Sequence, residues 1–488
     1  MAPVLFTSFQ YLLFLPLVVA LYWVMPKRFR LPMLLCASYL FYMSWMPAFI
    51  LLILPMTFFN WLCGGLLSRT QVLSQRKLCF GIGVGANLLC LAVFKYADFA
   101  AQSLAAVLKL TTHQAPHWAL NIILPLGISF FTFEFIHYLF EIYRGRKPIN
   151  SFVLFALFAA FFPTQIAGPI KRFPDFEEQM LREQKLSLDH FDEGIPLIIV
   201  GLAKKLLLAD NLSIFVRMGF DNPALYGGLE CWLFAYAFAF QIYFDFSGYT
   251  DIGRGSAMLF GYHIPINFNM PYIAKNISDF WHRWHISLSS WLRDYLFIPL
   301  GGSKAGRWLT HRNLFLTMAL GGLWHGASWN FVIWGIYHGV CLIVHREFVV
   351  VRKSYSALHN AMDSWCGKVA SMVLTFNVVC IGWVFFRMQD LPNAFSMIKK
   401  MILLRPLYSP GAASQFVVLR HELPIIVPIV ICMVSILLLQ NIPVSLAQER
   451  KIFKRPPAIL RAAACSLLVL LMVALSSDDS TPFIYFQF

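Results

Sequence analysis

The chain has 488 residues, of which 59% are hydrophobic and only 13% are charged. A soluble domain carries about a quarter charged residues, so this composition excludes an ordinary soluble enzyme and indicates a membrane protein with several spans. The formal net charge of +15 comes from short basic clusters between apolar runs, which is the distribution of cytoplasmic loops. We therefore expect membrane lipids and an anionic ligand as partners, and no nucleic acid.

The first apolar run, residues 5–25, is followed rather than preceded by basic residues, namely Lys27, Arg28 and Arg30. This order predicts a retained first span with its N-terminus outside, rather than a cleaved signal peptide. A hairpin of two further spans is expected next, with its turn near Pro47. The basic clusters on both sides of this hairpin then lie in the cytoplasm.

A span over residues 78–96 leads outward to residues 97–118, which hold one lysine and no arginine. So low a content of basic residues is typical of an external loop. The following span returns to Arg144, Arg146 and Lys147, which we expect in the cytoplasm.

The middle third of the chain is less regular. Pro163 and the Ala-Gly-Pro triplet at 167–169 interrupt the apolar run 153–170, because proline cannot donate a helical hydrogen bond. The polar residues 172–191 are predicted to be cytoplasmic. Spans are predicted near 195–216 and 231–246. Residues 245–280 are rich in Gly, Asp and Asn, and we predict broken backbone there that lines a cavity or is buried in protein.

The last third contains five more apolar runs. Their spans are predicted near 315–323, 331–344, 369–385, 425–439 and 459–475. The basic residues in 450–455 are expected in the cytoplasm, which leaves the C-terminus outside. About eleven to thirteen membrane segments result, and we predict that they form one integral membrane domain over residues 1–488.

Residues 279–302 carry two histidines between long apolar runs. On one continuous helix, spacings of three and four separate an aromatic face from a histidine face. The aromatic face holds Trp281, Trp284, Leu288, Trp291 and Tyr295, and the other holds His282, His285 and Ser289. We predict an amphipathic helix, which either anchors the protein at the membrane surface or presents its imidazoles to a site. The two histidines also have a spacing that suits metal ligands, but no third ligand accompanies them, and no metal site is predicted.

His325 lies in a second segment, 321–339, that is dense in glycine and aromatic residues and also contains His338. No charged residue occurs between Asn313 and Tyr337. A histidine here is either a core residue with one hydrogen bond or a general base. An imidazole has an ordinary pKa of about 6.5, so its neutral form near pH 7 suits proton abstraction.

Eight segments in chain order resemble the membrane-bound O-acyltransferase family, specifically its bacterial branch for alginate O-acetylation and teichoic-acid D-alanylation. These segments are residues 125–145, 161–172, 201–212, 243–261, 280–302, 321–339, 382–387 and 482–488. The resemblance implies an all-α polytopic membrane protein. In this fold a ring of tilted helices, some short or re-entrant, surrounds a central funnel and tunnel.

The resemblance also implies two site residues. The essential histidine corresponds to His325 in LWHG, and a second functional position corresponds to His285 in RWHISLS. Both fall in a histidine-bearing core of about residues 243–346. We expect His325 to act as the general base or to carry the acyl group briefly, and His285 to orient the thioester or polarise its carbonyl. Candidate supporting residues are Arg283, Asp294, Trp324, Asn330 and His338.

The function implied by this resemblance is membrane O-acyl transfer in the bacterial inner membrane. An acyl group, expected to be acetyl, moves from acetyl-CoA or another cytoplasmic thioester, such as one on a carrier protein, to a hydroxyl of an extracytoplasmic polysaccharide. Alginate is the expected polymer, reached through a periplasmic partner acetyltransferase or acceptor protein. No tightly bound cofactor is expected. The basic pairs Lys171/Arg172 and Lys204/Lys205 are expected to receive the donor.

Two other classes of protein fit the same composition. Many spans, broken helices and buried histidines are also typical of a transporter or exporter of a polysaccharide precursor. A non-catalytic scaffold of a polymer-secretion complex is the third possibility. The paired RWHISLS and LWHG segments favour the enzyme. The polymer stays open among alginate, cellulose, peptidoglycan and other glycans, and the acyl group between acetyl, D-alanyl and others.

Overall fold

The computed structural model describes residues 4–112, 120–165, 168–304, 306–404, 457–475, 483 and 484. Over these ranges the chain forms helices joined by turns and irregular loops, and it forms no strand. The all-α polytopic class is therefore confirmed.

The first half of the chain forms eleven of the α-helices in the described ranges. They are α1 (Phe9–Val24), α2 (Lys27–Met43), α3 (Ile50–Arg69), α4 (Leu73–Leu91), α5 (Ala97–Thr112), α6 (Ile128–Tyr143), α7 (Phe152–Ala160), α8 (Phe162–Gln165), α9 (Phe173–Leu181), α10 (Leu188–Ala203) and α11 (Asp210–Asp221). Two π-helical turns, Ala92–Tyr96 and Lys204–Ala209, join α4 to α5 and α10 to α11. The apolar run 153–170 is broken between α7 and α8, as predicted.

The second half begins with the longest helix of the described ranges, α12. The helices there are α12 (Gly228–Met258), α13 (Ile277–Arg283), α14 (Ile286–Leu292), α15 (Arg307–His325), α16 (Trp329–Ser354), α17 (Ser356–Asp363), α18 (Trp365–Arg387), α19 (Leu391–Leu403) and α20 (Ala458–Leu475). A third π-helical turn, Arg293–Phe297, continues α14.

Five helical stretches in the described ranges are long and apolar enough to cross a membrane. They are Pro47–Arg69, Leu73–Lys109, Trp329–Ser354, Trp365–Arg387 and Ala458–Leu475. The second of these corrects the expectation of an external loop over residues 97–118. Residues 97–112 continue the preceding span as α5, because their alanines, leucines, glutamine and lysine are strong helix formers. Residues 113–119 lie outside the described ranges.

Residues 245–258 were expected to be broken backbone, and this expectation is wrong, because they form the C-terminal half of α12. Their glycines serve helix packing. A Cβ atom at Gly248 would lie 2.7 Å from the carbonyl oxygen of Gly201 in α10, so only glycine permits this approach. The aspartates are satisfied by buried ion pairs with the lysines after α10: Lys204 with Asp251 at 2.6 Å, and Lys205 with Asp245 at 2.8 Å. The chain leaves the helix only after Met258.

Two further contacts hold neighbouring helices together. The amides of Asn60 in α3 and Asn87 in α4 hydrogen-bond to each other at 2.7 and 3.1 Å in the core, and such polar pairs join membrane helices. Helices α15 and α16 approach so closely that a Cβ atom at Gly322 would lie 2.2 Å from the carbonyl oxygen of Phe331. The expected span 425–439 and the basic residues of 450–455 lie outside the described ranges, and the single-domain assignment stays a prediction.

Candidate active site

The segment that carries His285 is two helices rather than the single amphipathic helix that its periodicity predicts. Helices α13 and α14 are separated at Trp284 and His285. His285 adopts the left-handed conformation, with φ +44°, which ends the helical hydrogen-bond ladder. The loop before α13 satisfies the released backbone groups, since Asn269 N–H donates to the Arg283 carbonyl and Ile286 N–H donates to the Asn267 carbonyl, both at 2.9 Å.

This break decides which histidine enters the core. His285 is fully buried, whereas His282, predicted on the same face, is exposed at the surface. Within α13, His282 Nδ1 lies 2.6 Å from the Ser278 carbonyl oxygen. The two imidazoles therefore diverge, and their geometry does not fit a shared metal ion. The aromatic face is also placed in the core rather than toward lipid: Trp291, for example, stacks on Phe133 of α6 at 3.8 Å between ring centroids.

Asn267 orients the His285 ring. Its Oδ1 lies 3.3 Å from His285 Nδ1, and it also accepts hydrogen bonds from Ser287 N–H at 3.1 Å and Ser287 Oγ at 2.8 Å. Three groups converge on one oxygen, so that atom is the amide acceptor and Nδ1 carries the ring proton. Nε2 is then the lone-pair nitrogen. It is buried and has no hydrogen-bond partner within the described part of the chain.

Two substitutions of Asn267 are expected to distinguish the effect of its acceptor oxygen from the effect of its side-chain volume. Asn267→Ala removes the bond that holds the tautomer and ring of His285, and a displacement of about 1 Å at a catalytic group costs up to about 100-fold in rate. Asn267→Asp keeps an acceptor at the same place, so it should retain more activity than the alanine variant. Turnover of both variants in proteoliposomes measures this difference. Equal activity in the two would contradict the assigned contact.

His325 meets His285 inside the protein. It is the last residue of α15, is 6% exposed, and its ring centroid lies 6.4 Å from that of His285. Three aromatic rings enclose it: Trp324 and Trp334 at 5.0 Å each, and Phe386 at 5.4 Å. Two segments that lie forty residues apart in the chain thus bring their imidazoles together in an apolar enclosure.

Of the five candidate supporting residues, one lies beside this pair and another lies one ring further away. Trp324 contacts both imidazoles, at 5.0 Å from His325 and 6.2 Å from His285. His338 lies one ring further away, because Trp334 separates it from His325 and contacts both rings. The buried nitrogens of His338 have no hydrogen-bond partner among the residues that the structure describes.

The other three candidates form ion pairs or hydrogen bonds that stabilise the structure around them. Their partners are Asp279 for Arg283 at 2.7 Å, Arg172 for Asp294 at 2.8 Å, and the Met388 carbonyl for the Asn330 amide at 2.5 Å. None of these partners is an imidazole. Sequence reasoning instead missed Asn267, which lies in a loop that no spacing rule connects to His285.

A cavity of about 230 Å³ lies between α13–α14 and α15–α16; we call it the α14–α15 pocket. Its lining comprises Ser278, Trp281, His282, Ile286, Ser289, Ser290, Leu292, Arg293, Phe297, Leu314, Thr317, Met318 and Leu342. Ile286 directly follows His285, and Thr317 precedes His325 by eight residues, or about 12 Å along the helix. Arg293, which also belongs to the lining, is exposed. The pocket thus lies beside the segments that carry the two histidines, although its lining includes neither His285 nor His325.

Two polar atoms of the pocket lining are themselves unsatisfied. Trp281 Nε1 and Thr317 Oγ1 are buried without a hydrogen-bond partner in the described ranges. A buried polar group without a partner is costly in the interior, so a group that remains unpaired marks a place where a polar ligand could bond. The pocket therefore offers one indole donor and one hydroxyl along an otherwise apolar wall.

Of the four basic residues expected to receive a donor, three are buried in ion pairs, so the prediction is wrong for these three. Lys171 is 2% exposed and pairs with Glu134 at 2.7 Å, and both Lys204 and Lys205 are buried in the ion pairs with α12. Arg172 does contact the lining of the α14–α15 pocket, since it donates to Ser290 at 3.0 Å. Charge clusters in a sequence do not reveal which carboxylates fold against them.

A comparison with known proteins assigns the chain to a family. Residues 88–388 match the model of the MBOAT, membrane-bound O-acyltransferase, family. This chain belongs to that family. It is a multi-pass membrane acyltransferase, and the transporter and scaffold alternatives are set aside.

The relatives of this membrane-bound O-acyltransferase include polysaccharide-modifying enzymes. It is 42% identical over 395 residues to the probable alginate O-acetylase AlgI of Pseudomonas aeruginosa, covering 80% of this chain and 73% of the relative. It is 37% identical to the protein of the same name from Azotobacter vinelandii over 98% of both chains. It is also 35% identical to the peptidoglycan O-acetyltransferase of Helicobacter pylori, over 76% of this chain and 73% of that protein.

Proposed function

We propose that this acyltransferase moves an acetyl group from a cytoplasmic thioester, across the membrane, to a hydroxyl group of an extracytoplasmic polysaccharide. The observation that carries the proposal is the pair of buried imidazoles, 6.4 Å apart between ring centroids, on the segments that also line the α14–α15 pocket. Such a pair can serve a donor on one side and an acceptor on the other. The surrounding aromatic rings keep bulk water from competing for the acyl group.

In the proposed reaction the acceptor hydroxyl attacks the thioester carbonyl carbon while His325 takes the hydroxyl proton. The C–O bond forms, the C–S bond breaks, and the proton passes to the leaving thiolate, so that the products are an ester and a thiol. In the alternative route His325 attacks the carbonyl carbon, so that a C–N bond forms as the C–S bond breaks; the acceptor hydroxyl then attacks, the C–N bond breaks as the C–O bond forms, and the hydroxyl proton passes to the thiolate, with the same ester and thiol as products. His285 has its ring proton on Nδ1, bonded to Asn267, so its Nε2 accepts a hydrogen bond and orients the donor arm. Polarising the carbonyl would require its protonated form.

The α14–α15 pocket is the proposed donor site. A thioester arm with amide groups can accept a hydrogen bond from Trp281 Nε1 and bond with Thr317 Oγ1, which satisfies the two unpaired atoms. The anionic end of the donor then lies near Arg293, which is exposed. Acetyl-CoA and an acylated carrier protein share such an arm, and neither binds as a permanent cofactor.

The distribution of arginines supports entry from the cytoplasm. Arg144 donates to the carbonyl of Asp294 at 3.3 Å, Arg172 pairs with the side chain of the same residue, and Arg76 donates to the Tyr143 carbonyl at 2.8 Å. These arginines therefore gather at one end of the helices, beside Arg293. By the positive-inside rule this end faces the cytoplasm, in the inner membrane of a bacterium. The N-terminus and C-terminus outside complete the proposed topology.

The named relatives guide the choice of acceptor. Two of them are called alginate O-acetylases and one a peptidoglycan O-acetyltransferase, so we propose acetyl as the acyl group and an alginate-like polysaccharide as the final acceptor. A periplasmic partner acetyltransferase is the proposed carrier to the polymer.

Reconstitution tests this function. Purified protein in proteoliposomes, given radiolabelled acetyl-CoA, is expected to release thiol slowly alone and to label an alginate oligosaccharide when the partner transferase is added. Labelling from a D-alanyl carrier protein in place of acetyl-CoA would replace the acetyl assignment. Transport of the oligosaccharide without thiol release would overturn acyl transfer altogether.

The pocket makes a prediction about donor affinity. Arg293→Gln is expected to raise the donor KM about tenfold with a smaller effect on kcat, since a charge-assisted hydrogen bond contributes about 1.5 kcal/mol to binding before chemistry begins. Thr317→Val should act in the same direction, because it removes the hydroxyl and keeps the shape. Arg69→Gln, an exposed arginine at the end of α3, is the matched control. Donor kinetics with all three variants decide, and an unchanged KM in both pocket variants would exclude this route.

A further inference from the structure

One charged residue inside a membrane span has no part in the function proposed so far. Lys95 lies in the π-helical turn of the continuous stretch Leu73–Lys109, one of the helices long and apolar enough to cross a membrane. An ionisable side chain in such a stretch is costly unless it has a specific partner, and it usually marks a functional site. The partners of Lys95 are therefore informative.

The Lys95 ammonium group binds the end of α15. It donates to the carbonyl oxygens of Trp324 at 2.5 Å and His325 at 3.2 Å, and it lies 3.4 Å from Ser129 Oγ. An ammonium group has three donors and no acceptor, so these three oxygens match its full capacity. The first two belong to the peptide groups on either side of the His325 Cα atom. Fixing both of them fixes the direction in which the imidazole leaves the backbone.

Tyr96 extends the same contact by one residue. Its hydroxyl donates to the carbonyl oxygen of Leu323 at 3.0 Å, so two neighbouring side chains cap three consecutive carbonyls. The last carbonyls of a helix have no partner within that helix, and the helix dipole places partial negative charge there. A cation and a phenol at this position satisfy both needs.

The π-helical turn explains how two adjacent residues reach the same target. Side chains of neighbouring residues in a regular α-helix diverge by about 100°, whereas an inserted residue widens the turn locally. Such turns occur frequently at functional sites. Here the turn Ala92–Tyr96 is the part of the membrane helix that contacts the end of α15.

We infer that Lys95, assisted by Tyr96, is a positioning residue that holds His325 against His285 by capping the C-terminus of α15. The inference rests on the proposed role of His325 in acyl transfer. Lys95 contacts carbonyl groups of the chain rather than substrate, so it acts through the histidine. Without its ammonium group, the last turn of α15 loses its cap and the imidazole no longer has one fixed position.

The test uses reconstituted protein and compares variants that change the charge or the hydrogen-bond donors of the Lys95 side chain with a variant of a lysine elsewhere in the same helical stretch. Lys95→Met keeps the length and removes the donors, and it should lower kcat by roughly 10- to 100-fold, the range for a displacement of about 1 Å, with little change in donor KM. Lys95→Arg retains a cation with several donors and should recover most of the activity. Tyr96→Phe removes one hydrogen bond and should give a smaller loss. Lys109→Met, an exposed lysine of the same helical stretch, should match the parent protein.

The outcomes separate this inference from the proposed function. His325→Ala is measured in the same assay: if it stays active, the role of His325 fails and the positioning role fails with it. If His325→Ala is inactive while purified, monodisperse Lys95→Met turns over normally, only the positioning role is overturned. Failure of Lys95→Arg to recover activity in a folded protein would also overturn it, because arginine can cap carbonyls but cannot exchange a proton as lysine does.

Discussion

His325→Ala is expected to abolish acyl transfer without preventing insertion or folding. Loss of a general base costs on the order of 10² to 10⁴ in rate, and His325 contributes its ring to a site that is already lined by Trp324, Trp334 and Phe386. The measurement is polysaccharide acetylation in cells together with turnover of the purified variant. Donor KM should change little, because the pocket lining does not include His325.

A second histidine provides the control for this substitution. His345 lies on α16, eleven residues beyond Trp334 and thus about 16 Å along the helix, so His345→Ala deletes the same ring from the same bundle at a distance from the pair. It should acetylate normally. Normal acetylation by a well-expressed His325→Ala protein would contradict the assignment of His325. A failure of both variants to insert would be resolved with His325→Gln, which retains side-chain volume and lacks a basic nitrogen.

The second large effect is expected from His285, alone and in combination. His285→Ala removes the acceptor nitrogen that orients the donor arm, and it should impair transfer severely. The double variant His285→Ala/His325→Ala should then be little worse than either single variant, because residues that act in one transition state are strongly non-additive. Kinetics of the two single variants and the double variant in reconstituted membranes measure this coupling. The 6.4 Å between the ring centroids is the structural basis for it.

The competing interpretation of His285 is a surface anchor on an amphipathic helix. Its complete burial and its contact with Asn267 already disagree with a position at the lipid headgroups. His345, which lies outside the lining of the α14–α15 pocket, supplies the comparison. Near-normal turnover by His285→Ala, or a defect that simply multiplies with that of His325→Ala, would return the segment to a structural role. His345→Ala should then be equally mild.

The sequence by itself determined the class of the protein and predicted the two histidines, His285 and His325, that the structure brings together. Apolar runs of about twenty residues predict membrane helices because hydrocarbon requires every backbone group to be bonded within the span. The first spans, the break between α7 and α8, and the helices that carry His325 and His338 agree with this pattern. The resemblance of RWHISLS and LWHG to one family selected His285 and His325 from thirteen histidines.

Only the tertiary structure decided how these histidines are held. Periodicity describes contacts within one regular helix, so it placed His282 and His285 on a common face. The left-handed conformation of His285 depends instead on a loop whose residues 267 and 269 hydrogen-bond to the open backbone groups of residues 286 and 283. That contact cannot be derived from local spacing.

Long-range contacts also explain why the sequence did not reveal the partners of the charged residues. Lys204 and Lys205 were expected to receive the donor, but α12 supplies their aspartates. No pattern in the sequence singled out Lys95, whose partners are carbonyl groups of α15. A charge in a sequence carries no information about its partner when that partner lies tens to hundreds of residues away. Burial and pairing are properties of the folded chain, because the cost of desolvating a charge is offset only by groups that folding brings within hydrogen-bond distance.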